Sequence, residues 1–208
     1  MKHAFKLWVL LTGLSPLAAQ ASYGEHERSL NGTGETLRQG GAEVGLATIS
    51  YGLSDRLMLG LATWPLAFGQ ASSQLKYKFL LRDNIRLTPY VGGGYDWQAH
   101  QGSYGTGATL GFDLGAERRE SLSISGGLLH APPLDLNKPS APRKQAQNQA
   151  RVQVEFDHYT QGGNLFYVGA LNQSLYAGFT WAWDNFHLGL VSSSAVAFIP
   201  LPYLYWRF

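Results

Sequence analysis

Residues Ile199–Phe208 read "IPLPYLYWRF", with apolar side chains at Leu204, Trp206 and Phe208 and an aromatic ring on the last residue. Chain ends of water-soluble domains fray and are usually polar. A period of two marks a strand with one apolar face. The expectation is therefore a strand whose Leu204, Trp206 and Phe208 share a surface away from water.

The same alternation recurs upstream. "RLMLGLATW" (56–64) sets Leu57, Leu59 and Leu61 against Met58, Gly60 and Ala62, and "QLKYKFLLR" (74–82) sets Leu75, Tyr77, Phe79 and Leu81 against Lys76 and Lys78. In "NIRLTPYVGGGYDW" (84–97), Ile85, Leu87 and Val91 oppose Arg86, Thr88 and Tyr90. Leu110, Phe112 and Leu114 oppose Asp113; Leu122, Ile124 and Leu128 oppose Ser121, Ser123 and Ser125; Val152, Val154 and Phe156 oppose Arg151, Gln153, Glu155 and Asp157. One face is large and apolar, the other small, polar or charged. With 25 Gly, 27 aromatic residues as 11 Tyr, 10 Phe and 6 Trp, and 14% charge, the chain is all-β.

Alternation fits a soluble β-sandwich, with apolar rows inside, or a transmembrane barrel, with apolar rows in lipid and polar rows in the lumen. The breaks between strands favour the barrel. Tight breaks at 53–56, 82–84, 116–120, 160–164 and 183–185 alternate with wider ones at 65–72, 98–103, 131–149 and 194–200. Outer-membrane barrels have short periplasmic turns and longer extracellular loops. The bend at 172–174 departs from this rule, being short on the long-loop side. The uncharged stretches 163–183 and 188–206 are long enough for helices, but their Asn, Gln, Ser and Pro content and missing basic flanks argue against membrane-spanning helices.

The other end of the chain agrees. "MKHAFKLWVLLTGLSPLAAQA" has Lys2 and Lys6, an apolar run and Ala19-Gln20-Ala21, the layout of a signal peptide cleaved after Ala21. The chain has 16 Lys+Arg and 14 Asp+Glu; setting aside Lys2 and Lys6 leaves 14 of each. No basic field remains to suggest nucleic acid. Cys is absent, so an exported fold here takes nothing from disulfides.

"IPLPYLYWRF" resembles the closing strand of Gram-negative outer-membrane β-barrels, which ends on Phe and is read by the insertion machinery. "YGLSDRLMLG" (51–60) is similar to the "YGLTDRL-x-LG" strand-turn-strand of uncharacterised proteobacterial barrels. The resemblance implies an insertion signal at Leu204, Trp206 and Phe208. It also implies an interfacial girdle including Tyr203 and Tyr205, and as partners outer-membrane lipids, the barrel assembly machinery and periplasmic chaperones.

The expected fold is thus a transmembrane antiparallel up-and-down β-barrel over residues 41–208. Counting back from Phe208 gives eleven strands, the earliest about Ala42–Leu53, whereas bacterial single-chain barrels have even numbers. Twelve is preferred, the extra strand coming from Tyr23–Gln39; ten follows if the Asn172 bend is false. Residues 22–40 read as a first strand, a plug or a tail.

Lumen-lining positions are Lys76, Lys78, Arg86, Asp113, Arg151, Glu155 and Asp157, with Arg207 also on that parity. They suit a narrow porin-like channel, or a structural barrel filled by ion pairs. No metal site or cofactor is expected: the six His residues lack ligand spacing, and "VGGGYDW" lies in a strand and so makes no phosphate cradle. His158, Thr160 and Asn172 resemble the His-x-Ser pair and orienting residue of outer-membrane phospholipase and lipid A deacylase, which implies an acyl hydrolase. Thr stands in place of Ser, Gln161-Gly162-Gly163 follows it, and parity puts His158 at the periplasmic end. The preferred reading is not an enzyme.

Overall fold

The computed structural model describes residues 29–30, 33–63, 66, 69–115, 117–132 and 145–208. The expected signal peptide and cleavage site lie outside the described residues.

Alternating side chains build one antiparallel sheet. Its elements are β1 (Ala42–Gly45), β2 (Thr48–Ser54), β3 (Leu57–Ala62), β4 (Gln70–Tyr77), β5 (Phe79–Arg82), β6 (Ile85–Asp96) and β7 (Gln101–Leu114). Then come β8 (Glu120–Ala131), β9 (Gln147–Tyr159), β10 (Leu165–Leu171), β11 (Ser174–Trp183), β12 (Phe186–Ser193) and β13 (Leu201–Arg207). β4 and β5 both pair with β6, Lys76 opposite Tyr90 and Phe79 opposite Leu87, so they are two lengths of one stave interrupted at Lys78. β1 pairs with β13, Glu43 opposite Arg207 and Gly45 opposite Tyr205. The sheet is therefore a closed twelve-stranded barrel with every neighbour antiparallel, and no two-sheet sandwich forms. Among the described residues no helix is long and apolar enough to cross a membrane.

Twelve is the expected number, but its source is different. The expected strand Ala42–Leu53 is two strands, reversed at Leu46-Ala47, with Val44 opposite Ile49. Parity hid this turn, because it carries no Gly, Pro or Asn. Of the expected strand Tyr23–Gln39, residues 23–28 and 31–32 lie outside the described residues, and the described 29–30 and 33–39 form no strand. The Asn172 bend is real: Leu171 faces Ser174, and Asn172 adopts φ 53°, a left-handed conformation that Asn tolerates at a tight turn.

β1 begins and β13 ends at the same rim, the terminal rim, beside the turns at 55–56, 83–84, 115–119, 160–164 and 184–185. Leu59, Leu61, Leu75, Phe79, Val91, Val152, Val154 and Phe156 all face outward and are exposed, and Leu57 on the same face is half-buried. A belt of this size on a chain in water would be an association surface. Trp183 stacks on Phe186 at 5.8 Å and Phe186 meets Trp206 at 5.0 Å, forming an outer aromatic cluster at the terminal rim. Tyr203 and Tyr205 are not in that cluster. They carry the odd parity of Arg207 and point inward, Tyr205 being only 6% exposed. The outer aromatic cluster thus consists of Trp183, Phe186 and Trp206, and Tyr203 and Tyr205 depart from the expected girdle because a strand's period of two sends them to the face opposite Trp206.

Candidate functional site: the lumen

Inward residues differ between the two halves of the barrel. In the terminal half they are large and charged, and several need a small partner on the next strand. Tyr167 faces Gly178, Tyr176 faces Gly169 and Tyr203 faces Gly189 across adjacent strands. A Cβ at any of these glycines would fall on the facing tyrosine ring. The rings thus lie flat over bare backbone, and their hydroxyls reach sideways: Tyr176 donates to Glu155 Oε2 at 2.7 Å, and Tyr203 bonds Thr180. His187 stacks on Tyr205 with ring centroids 4.5 Å apart.

Residues 29–30 and 33–39 occupy the rest of this half. Leu30, Leu37 and Met58 form a buried apolar cluster inside the barrel. The Ser29 N–H donates to the Tyr159 hydroxyl at 3.0 Å, Lys76 Nζ donates to the Leu30 carbonyl at 3.4 Å, and the Thr88 hydroxyl donates to the Gly34 carbonyl. Thr36 donates to the Asp55 carbonyl, and the Gln39 N–H donates to the Asp55 carboxylate at 2.9 Å, tethering the segment to the rim before β1 begins. At its centre Glu35 is 3.0 Å from Lys78 Nζ and 3.0 Å from Arg86 Nε. Arg86 in turn holds Asp113 at 2.7 Å. Six of the eight side chains in these contacts come from strands or turns spread around the wall, so the segment crosses the lumen as a plug.

The expected lumen residues fall as follows. Lys76, Lys78, Arg86 and Asp113 all meet the plug or its ion-pair network. Glu155 and Asp157 are 4% and 1% exposed, and Asp157 accepts the Ser121 hydroxyl at 3.1 Å. Arg207 pairs with Glu43 at 2.7 Å across the closing seam. Arg151 stands apart, exposed and above this layer. The sequence reading missed Glu35 and Glu43. Glu43 sits in a four-residue strand merged with its neighbour, and Glu35 lies in a segment whose Gly and charge content gives no periodicity to read.

Toward the opposite rim the inward residues become small and neutral, among them Gly60, Ser72, Gln74, Gly92 and Ser125. They enclose a cavity of ≈ 280 Å³ that continues into one of ≈ 260 Å³ floored by Leu30, Thr33 and Lys76, with Gln74, Tyr90 and Arg151 lining both. The wall is uneven here. β6 to β9 run for 12 to 14 residues and β10 for 7, so Arg151 lies above the last β9–β10 partners, Gln153 and Leu171.

The hydrolase residues are not brought together. His158 sits outside the terminal rim, its Nδ1 3.3 Å from Glu120 Oε1. The Thr160 hydroxyl accepts the Asn164 N–H in the 160–164 turn. Asn172 is at the opposite rim, where its Oδ1 accepts the Val152 N–H at 2.9 Å. Val152 precedes His158 by six residues on one extended strand, a separation of roughly 20 Å. No family model, curated protein or solved structure matches the chain. Its chemistry is read from the lumen alone.

Proposed function

We propose that this chain is a Gram-negative outer-membrane β-barrel, exported through residues 1–21, whose narrow channel is closed at its periplasmic end by its own residues 29–39. The observation that carries the reading is Glu35, held inside the barrel between Lys78 and Arg86. A closed barrel with an apolar exterior suits a bilayer, since closure leaves no unpaired backbone edge to face lipid. Phe208 on the outer aromatic side of β13 fits the insertion-signal resemblance, which supports a periplasmic location for the terminal rim. The two connected cavities toward the opposite rim then form a vestibule that opens to the outside. Lipids, the assembly machinery and periplasmic chaperones are the partners this reading requires.

The test of the channel is electrical. Wild-type barrels in planar bilayers should conduct little, and variants that release the plug should conduct more. Equal conductance from both would remove the gating role. Location has its own test: deleting Phe208 should abolish outer-membrane accumulation and leave the protein to periplasmic degradation. Normal assembly of that variant, shown by heat-dependent migration in mild detergent, would defeat the insertion-signal reading.

The hydrolase alternative requires a base, a nucleophile and an orienting group within hydrogen-bond reach. Asn172 is at the wrong end of the barrel for that. The purified protein should release no fatty acid from phospholipid above background, and His158→Ala should leave that background unchanged. Turnover that disappeared in both His158→Ala and Thr160→Ala would reinstate the enzyme.

A further inference from the structure

Inward charges in the terminal half have close partners: Arg86 with Glu35 and Asp113, Lys78 with Glu35, and Arg207 with Glu43. The vestibule above has a different balance. Arg151 reaches into it from the lip and Lys76 from the floor. Among the described residues the Arg151 side chain makes no ion pair or hydrogen bond. Two inward carboxylates that flank this layer are already engaged. Glu155, one inward position below Gln153, takes the Tyr176 hydroxyl at 2.7 Å and the Gln153 amide at 3.4 Å, and attracts Lys76. Asp96, at the rim, accepts the Gln70 amide at 2.6 Å and the backbone N–H groups of Gln98 and Ala99.

We propose that the vestibule binds a small oxyanion, a phosphate or carboxylate group, with Arg151 as its principal ligand and Lys76 beneath it. A guanidinium presents paired donors that match the two oxygens of either group. Neutral donors stand on the same wall: Gln74 and Tyr90 line both cavities alongside Arg151. Low-dielectric walls concentrate the field of the Arg151 guanidinium and raise the local concentration of the opposite ion. The compartment that supplies the anion rests on the outer-membrane reading; the binding itself does not.

The experiment is calorimetric titration of the barrel, folded in an uncharged detergent at low ionic strength, with inorganic phosphate. Saturable binding is expected, weakened about tenfold or more in Arg151→Gln, the loss of one charge-assisted contact. Arg119→Gln, at the terminal rim, should bind as wild type does. Arg151 is exposed, so Arg151→Gln should retain heat-dependent migration, and Arg151→Lys should recover part of the affinity. A parallel titration with dihexanoylphosphatidylglycerol separates the sources. Arg151-dependent competition with phosphate identifies a lipid headgroup as an acceptable ligand, and its absence identifies a soluble ion; both support the site. No saturable phosphate binding, or binding that Arg151→Gln leaves unchanged, overturns it. Because the titration needs no passage through the barrel, its failure leaves the plug reading intact, and an unaltered conductance in plug variants leaves the anion site intact.

Discussion

Glu35→Lys is expected to turn a nearly silent barrel into a conducting one. The side chain of Glu35 is 13% exposed and neutralises two cations, Lys78 at 17% and Arg86 at 3%. Removing one partner of a buried ion pair costs roughly 3–5 kcal/mol, because the remaining charge stays desolvated. Arg86 keeps Asp113, which moderates the loss, but a third cation beside Lys78 and Arg86 adds repulsion. A bias of this size raises the population of a displaced plug on the order of a thousandfold. Planar-bilayer recordings at low and high salt would show it as long-lived openings. The companion variant is the charge exchange Glu35→Lys with Lys78→Glu, which restores one attractive pair and should return the barrel toward silence. A correctly folded Glu35→Lys barrel with wild-type conductance would mean that the segment is fixed filler and no gate.

Arg207→Ala should be the most destabilising single change in the wall. Arg207 and Glu43 are register partners on β13 and β1, where only three residue pairs close the barrel. Their side chains are 6% and 3% exposed, so truncation strands Glu43 in the interior. The expected loss is about 3–5 kcal/mol, read as a lower urea midpoint for the detergent-folded barrel. Glu117→Ala gives the comparison: its pair with Arg119 is 71% and 35% exposed, and breaking it should cost about 1 kcal/mol or less. Replacing Glu43 and Arg207 together by Gln should cost less than Arg207→Ala alone, since no lone charge is then buried. If Arg207→Ala and Glu117→Ala shift the midpoint equally, the seam pair contributes nothing beyond a surface pair.

What could be read from the chain was whatever obeyed a period. Val152, Val154 and Phe156 against Gln153, Glu155 and Asp157 fixed both faces of β9, and the same rule placed the faces of β3, β4 and β6. It also assigned Lys78, Arg86 and Asp113 to one surface. Two things escaped it. The turn at Leu46-Ala47 reverses the chain within apolar residues that look continuous. The plug has no period at all: Leu30, Glu35 and Leu37 are placed by what surrounds them, so nothing local distinguishes them from a tail. Tyr203 and Tyr205 failed for another reason. The resemblance to a closing barrel strand implied an interface, whereas strand parity, applied to the same residues, sends them into the lumen.

The tyrosine rings lying over Gly169, Gly178 and Gly189 constrain how this barrel can diverge. Each ring and its glycine form a single unit of inheritance spread over two strands. Tyr167 can be exchanged for a smaller residue without obstruction, but Gly178 can acquire a side chain only after Tyr167 has shrunk. Substitutions at the two positions must therefore arrive in a set order. Across descendants of this sequence, residues on neighbouring strands should change as correlated pairs, volume gained on one strand matching volume lost on the next. Such pairs would reveal the strand register from sequences alone on β10 to β13, where few inward residues carry a charge.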